Sequence, residues 1–186
     1  MSGQRWPKRI WLVRHGESAG NVASGIAQSW GELKVDVAER DVDVPLSNAG
    51  IEQSRALGRW FAQLATDERP DVVLTSPYLR ARQTADLIRE ARGLAQDTLA
   101  PVRDERLRER EFGILDRLTP SGVRELHPEQ AELRRVIGKF YHRPPGGPDT
   151  VQVFSPPWAN GNASVPRATV STTALAGDRC KGDLLL

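Results

Sequence analysis

Cysteine is almost absent from this chain: among 186 residues, Cys180 is the sole thiol. That excludes an intramolecular disulfide and a cysteine metal cluster, and a reducing, cytoplasmic compartment is expected. Long apolar runs are also missing. The segment MSGQRWPKRIWLV starts basic, but its apolar run, Ile10 to Val13, ends at Arg14. That is too short for a signal peptide or a membrane span. Neither charge dominates, with 26 basic residues against 24 acidic ones. A near-neutral chain gives no strong pull toward nucleic acid or membrane, so neither partner is expected. There is no Walker loop, no G-x-G-x-x-G after a strand and no zinc-type spacing, so no metal or cofactor is expected.

The length suits one domain with a real core. Ile10 to Val13 reads as a short buried strand. Residues 22 to 44 read as irregular, with the mixed-charge stretch KVDVAERDVDV. Ser47 is an expected N-cap for a helix that places Ile51, Leu57, Trp60, Phe61 and Leu64 on roughly one face. DVVLTS, residues 71 to 76, reads as a second strand. Pro77 then opens a helix that runs to about Arg92 and stops at Gly93. Strand and helix alternating with short joints predict an α/β fold: a mainly parallel sheet flanked by helices in three layers. Residues 128 to 141 read as helical and RPPGGPD as a loop. After Thr150 helical periodicity is lost, so 1–148 is read as one domain and 149–186 as a poorly ordered tail with VQVF as its one candidate strand.

The chemistry gathers at LVRHGESAGN, residues 12 to 21. Open α/β sheets bind ligands beyond the carboxyl ends of their strands, and Arg14-His15-Gly16 lies at such an end. Imidazole can attack phosphorus and hold the phosphoryl group covalently. Arg14 offers a planar fork of donors to phosphate oxygens and disfavours the charged imidazolium. Gly16 removes a side chain where an anion approaches the backbone. Asn21 can donate an amide hydrogen bond to the same anion. Alone, an R-H-G triplet is weak, and an isolated histidine is usually structural. A second element, SPYLRARQTA, puts Arg80 early in a helix after a strand, where the helix dipole favours the same anion. Arg82 is read as part of a solvated face. Ser18 is preferred as a cap, and Glu17 as a support for the loop. His127 is expected to be exposed and His142 to be packed.

Four stretches, LVRHGESAGN, PLSNAGIEQS, TSPYLRARQTA and LREREFGILD, occur in this order. With them the chain resembles the histidine phosphatase superfamily, the phosphoglycerate mutase-like proteins, over roughly residues 8 to 147. FYHRPPGG resembles a loop of bacterial members. The resemblance implies a phosphoglycerate mutase-like fold and a phosphorylated small-molecule substrate. It implies a phosphatase, or a phosphoryl-transfer enzyme, that works through a phosphohistidine at His15. Arg14 and Arg80 would bind the phosphoryl oxygens with Asn21 assisting, and Glu109 would protonate the leaving oxygen. Glu111 is the rival carboxylate; motif spacing favours Glu109. The alternative for both is a surface ion-pair run with Arg106, Arg108 and Arg110, where each pair is worth little.

The resemblance fails after the PPGG loop. Family members continue with a long helix and a buried strand ending in a second His-Gly; here no histidine follows His142. The family's C-terminal strand and helix are therefore expected to be missing, and IWLV to present an unpaired edge. Residues from about 149 onward are expected to be an out-of-frame or otherwise altered terminus. Losing a positioned donor to developing charge costs about 10²–10³ in rate. The expectation is an impaired enzyme or, alternatively, an inactive phospholigand-binding module. Substrate identity and oligomeric state are not legible.

Overall fold

A computed structural model describes residues 9–93, 99–138 and 141–147. All of them fall within the unit Met1–Phe154. The readings made for residues 149 to 186 lie outside the described residues.

The first helix, α1 (Ala19–Ser29), corrects the expectation that residues 22 to 44 are wholly irregular. AGNVASGIAQS is rich in glycine and serine, which give little intrinsic helical preference. The helix is set at its start instead. Ser18 accepts from the Asn21 backbone N–H, and the Asn21 side chain accepts from the Ser18 backbone N–H. This is a capping box with Asn in the place usually held by Glu or Gln.

Helix α2 (Asn48–Gln63) starts where expected, with Ser47 Oγ accepting from the Gly50 N–H at 3.1 Å. Its apolar face is anchored by Phe61, which is buried. Strand β1 (Leu74–Thr75) lies within DVVLTS but is only two residues long. Helix α3 (Leu79–Ala91) follows, and Gly93 stands just past its end at φ +75°. Strand β2 (Val102–Arg103) pairs with β1 in parallel, Leu74 opposite Val102 and Thr75 opposite Arg103. A parallel pair joined through an intervening helix is the βαβ unit of an α/β fold.

Helices α2 and α3 pack closely. A Cβ at Gly58 would lie 2.5 Å from the Ile88 carbonyl oxygen, so the absence of a side chain permits this approach. Ser54, buried on α2, donates to the Gly50 carbonyl at 2.7 Å and reaches Thr84 Oγ1 of α3 at 3.5 Å.

Helix α4 (Pro120–Leu126) was not anticipated, although Thr119-Pro120 is a clear start signal: Thr119 Oγ1 accepts from the Gly122 N–H and Pro120 occupies the first turn. Helix α5 (Pro128–Ile137) matches the helical reading of residues 128 to 141, ending earlier at Gly138.

The buried strand expected at Ile10 to Val13 is not found. Residues 9–17 carry no strand, and Ile10 and Leu12 are 66% and 69% exposed. A buried strand needs ladder partners and apolar cover on both faces. Here cover comes from one side. Trp11 stacks edge-on against Trp60 and Phe61 of α2 at 5.3 and 5.5 Å, and its indole N–H donates to the Glu68 carbonyl at 3.2 Å. The segment is thus held to α2 by one aromatic residue.

Candidate functional site

The polypeptide turns at Arg14-His15-Gly16 and runs directly into the Ser18 cap of α1. Backbone contacts fix this exit. Gly16 N–H donates to Thr84 Oγ1 at 3.1 Å. Glu17 N–H donates to Gln53 Oε1 at 2.9 Å, while Ser47 donates through its backbone to Glu17 O and through its hydroxyl to Glu17 Oε1. Glu17 therefore supports the loop by holding the start of α2. Gly16 has a reason beyond anion access: a Cβ there would sit 2.4 Å from the Gly50 carbonyl oxygen.

His15 is half buried, and its Nδ1 lies 2.6 Å from the Gly16 carbonyl oxygen. A carbonyl only accepts, so the bond requires the proton on Nδ1, leaving Nε2 of the neutral ring with its lone pair. Burial lowers the imidazole below its ordinary 6.5, and the positive charges of Arg80 and Arg14 add to this. The Gly16 hydrogen bond and Glu109 oppose it. The ring is therefore biased toward the neutral, nucleophilic form.

Arg80, on the first turn of α3, is 4% exposed. A buried guanidinium needs partners, and this one has them on both terminal nitrogens. Nη1 donates to the Asp41 carbonyl at 2.5 Å and lies 3.0 Å from Asp41 Oδ1. Nη2 donates to Asp41 Oδ2 at 3.3 Å and to Glu109 Oε2. Burial alone would lower Arg80, but Glu109 and Asp41 outweigh it and hold the guanidinium above its ordinary value. Its plane also lies over the Tyr78 ring at 4.7 Å.

Of the two rival carboxylates, Glu109 reaches Arg80; Glu111 pairs with Arg108 at 3.0 Å on an exposed surface. His15, Arg80, Glu109 and Arg14 are thus gathered from three separate segments into one electrostatic neighbourhood. Arg14 is exposed there. Asn21 stands at the start of α1 with its Oδ1 accepting from the Ser18 N–H and hydroxyl, both at 3.0 Å. The carbonyl end of its amide is used by the cap, and the donor end is not.

Other side chains fall elsewhere. Arg82 is half buried, not on a solvated face; it lines a separate cleft of about 120 Å³ with Thr75, Asp86 and Arg103. His127 is half exposed, 3.7 Å from Glu129. His142 is fully buried, as its packing role requires. Among the described residues no group of three or more His, Cys, Asp or Glu side chains could hold a metal ion. No described helix is long and apolar enough to cross a membrane.

Three residues at the site escaped sequence reasoning. Thr84 stands one turn after Arg80 in TSPYLRARQTA, the spacing that lets its hydroxyl meet both the Arg80 carbonyl and the Gly16 N–H. Gly50 belongs to PLSNAG, where the glycine marks a backbone crossing. Asp41 gave no signal beyond its place in a mixed-charge stretch.

The chain is similar to known proteins along most of this length. It is 31% identical over 158 residues to a phosphoglycerate mutase-like protein of Arabidopsis thaliana, covering 80% of this chain and 50% of the relative. It is 37% identical over 135 residues to a 2,3-bisphosphoglycerate-dependent phosphoglycerate mutase of Thermobifida fusca, covering 72% and 47%. Among solved structures, a mycobacterial glucosyl-3-phosphoglycerate phosphatase superposes with a TM-score of 0.50 at 26% identity, covering 72% of this chain and 52% of that one. The chain therefore spans about half the length of these relatives. Residues 10–155, which carry every side chain gathered around His15, match the family model, and the chain belongs to the histidine phosphatase superfamily, branch 1.

Proposed function

We propose that this chain takes a phosphoryl group from a small phosphate monoester onto His15. The observation that carries the reading is the buried Arg80 held beside both Glu109 and a half-buried, neutral-biased imidazole. In the first step Nε2 of His15 attacks phosphorus, a P–N bond forms and the ester P–O bond breaks. Arg80 and Arg14 neutralise the phosphoryl oxygens, with the Asn21 amide as a further donor. For this step Glu109 enters as the carboxylic acid, having taken a proton from solvent, and passes that proton to the departing oxygen, leaving a carboxylate. Water, losing a proton to Glu109, then attacks phosphorus and breaks the P–N bond, releasing inorganic phosphate and regenerating His15. Transfer to a second hydroxyl in place of water would make the same chemistry a mutase.

The substrate class is a phosphorylated small molecule. Nucleic acid is disfavoured by the near-neutral charge, +2. Relatives named for phosphoglycerate and for glucosyl-3-phosphoglycerate make a phosphorylated three-carbon acid or its sugar conjugate the first substrates to try.

The test is phosphate trapped on the protein. Quenching during turnover of an aryl phosphate should leave acid-labile phosphate on His15, and His15→Ala should abolish both label and turnover. Equal turnover by the two proteins, with no label, would reject the reading. One observation favours a second reading, a phospholigand-binding module without turnover: Nη1 of Arg80 lies 3.0 Å from the Asp41 carboxylate and Nη2 bonds those of Asp41 and Glu109. It predicts phosphate binding with no label.

A further inference from the structure

Arg80 carries more negative charge than it needs. One guanidinium faces two carboxylates: its terminal nitrogens make three hydrogen bonds, two to Asp41 and one to Glu109, and Nη1 lies 3.0 Å from Asp41 Oδ1. A phosphoryl group that is to use this fork must displace one of them. The two differ in how readily they can leave. Glu109 sits in the charged segment after β2, and its side chain is 39% exposed. Asp41 lies on a single 3-10 turn, Asp41–Asp43, in the connection between α1 and α2, and its side chain is 52% exposed. The backbone of that connection is pinned independently: Arg117 donates to the Val37 and Glu39 carbonyls at 2.6 and 2.8 Å. The Asp41 carboxylate can therefore swing into water while its carbonyl stays on Arg80.

We infer that Asp41 is an internal anion that competes with phosphate for Arg80 and so sets the affinity of the site for phosphate esters. The inference deepens the phosphate-site reading above and rests on it. Before phosphate binds, Asp41 shares the buried cation with Glu109. When a phosphoryl group arrives, the like charge must move aside, and the work of moving it weakens binding. Free phosphate would then leave more readily after each turnover.

The experiment is calorimetric titration of the full chain with inorganic phosphate, using the wild type, Asp41→Asn and Asp43→Asn. Asp41→Asn keeps the shape and the carbonyl contact but removes the charge. Asp43, whose carboxylate pairs with exposed Arg40 at 2.6 Å, controls for a general change of field. Asp41→Asn should bind phosphate about tenfold more tightly, and Asp43→Asn should match the wild type. Asp41→Ser, a smaller neutral replacement, should show the same tightening. Unchanged or weaker phosphate binding in both Asp41 variants overturns the inference, as does equal tightening by Asp43→Asn, or no binding by any of them. Phosphate trapped on His15 is read separately. If trapping fails while Asp41→Asn still tightens phosphate, the catalytic reading falls and Asp41 keeps its role. If trapping succeeds and the affinity does not move, Asp41 alone loses it.

Discussion

The backbone N–H of Gly16 donates to the hydroxyl of Thr84, 68 residues away, at 3.1 Å. The same hydroxyl donates to the Arg80 carbonyl at 2.8 Å. One buried side chain thus sets the distance between the turn that carries the imidazole and the helix that carries the buried guanidinium. Replacing Thr84 by Val keeps the shape and removes both bonds. The Gly16 N–H is then left without its acceptor, a loss of about 1–3 kcal/mol. Thr84→Val should lower the urea midpoint correspondingly. It should also lower kcat for an aryl phosphate by more than it raises KM, because the geometry between His15 and Arg80 is disturbed.

A second contact is set by contour alone. A Cβ at Gly50 would lie 2.0 Å from the Glu17 carbonyl oxygen and 2.8 Å from its nitrogen. Both are backbone atoms, so no side-chain rotation relieves the clash. Gly50→Ala should cost at least about 1–3 kcal/mol, the usual range for overpacking. Gly25→Ala meets nothing within 4 Å and lies inside α1, so as the control in thermal unfolding it should keep or slightly raise Tm.

How much of this was legible follows the range of the interactions. Ser47, Gly93 and Thr119-Pro120 speak through neighbours a few residues away, and the sequence displays those cues openly. Helix α1 was misread because its cue is a capping box closed by Asn21 in a stretch that otherwise discourages helix. The strand expected at Ile10 to Val13 fails for the opposite reason. An apolar run states what a segment would prefer, but pairing partners decide whether it becomes a strand. Of the proposed site, His15, Arg80 and Glu109 are the candidates that the sequence motifs name. The motifs do not name Asp41 and Thr84, because each acts on Arg80 through contacts that only the folded chain brings together.

Glu109 and Glu111 stand two residues apart and are separated by what they touch. Glu109 bonds the buried Arg80, whereas Glu111 bonds the exposed Arg108. If Glu109 moves the proton, Glu109→Gln should lower kcat by about 10²–10⁴-fold for substrates with poor leaving groups. The loss should shrink for a nitrophenyl ester, whose leaving group needs little protonation. Glu111→Gln should leave both rates within about twofold, since an exposed pair is worth little. Comparable losses in the two variants would remove Glu109 from its role.

Two imidazoles make both the rate and the stability fall in acid. Burial lowers both His15 and His142 below the ordinary 6.5. For catalysis this means that His15 keeps its free lone pair to lower pH than an ordinary imidazole, so the acidic limb of kcat/KM should fall on the acid side of 6.5. For stability the sign follows from proton counts. An unfolded histidine takes its proton near 6.5, the buried one only at lower pH, so the unfolded state binds more protons in between. Stability is therefore full above 6.5 and is lost as pH falls toward the depressed folded value. His142 should dominate this loss. It is 0% exposed, its Nδ1 has no hydrogen-bond partner among the described residues, and Arg134, Arg110 and Arg143 press against its charged form. His142→Asn should be less stable than wild type near pH 7.5 but lose less stability between about pH 7 and 5, as read from urea midpoints. An equally steep acid loss in His142→Asn would assign it to carboxylates paired with arginine, and the slope would then have to disappear in variants of those pairs instead.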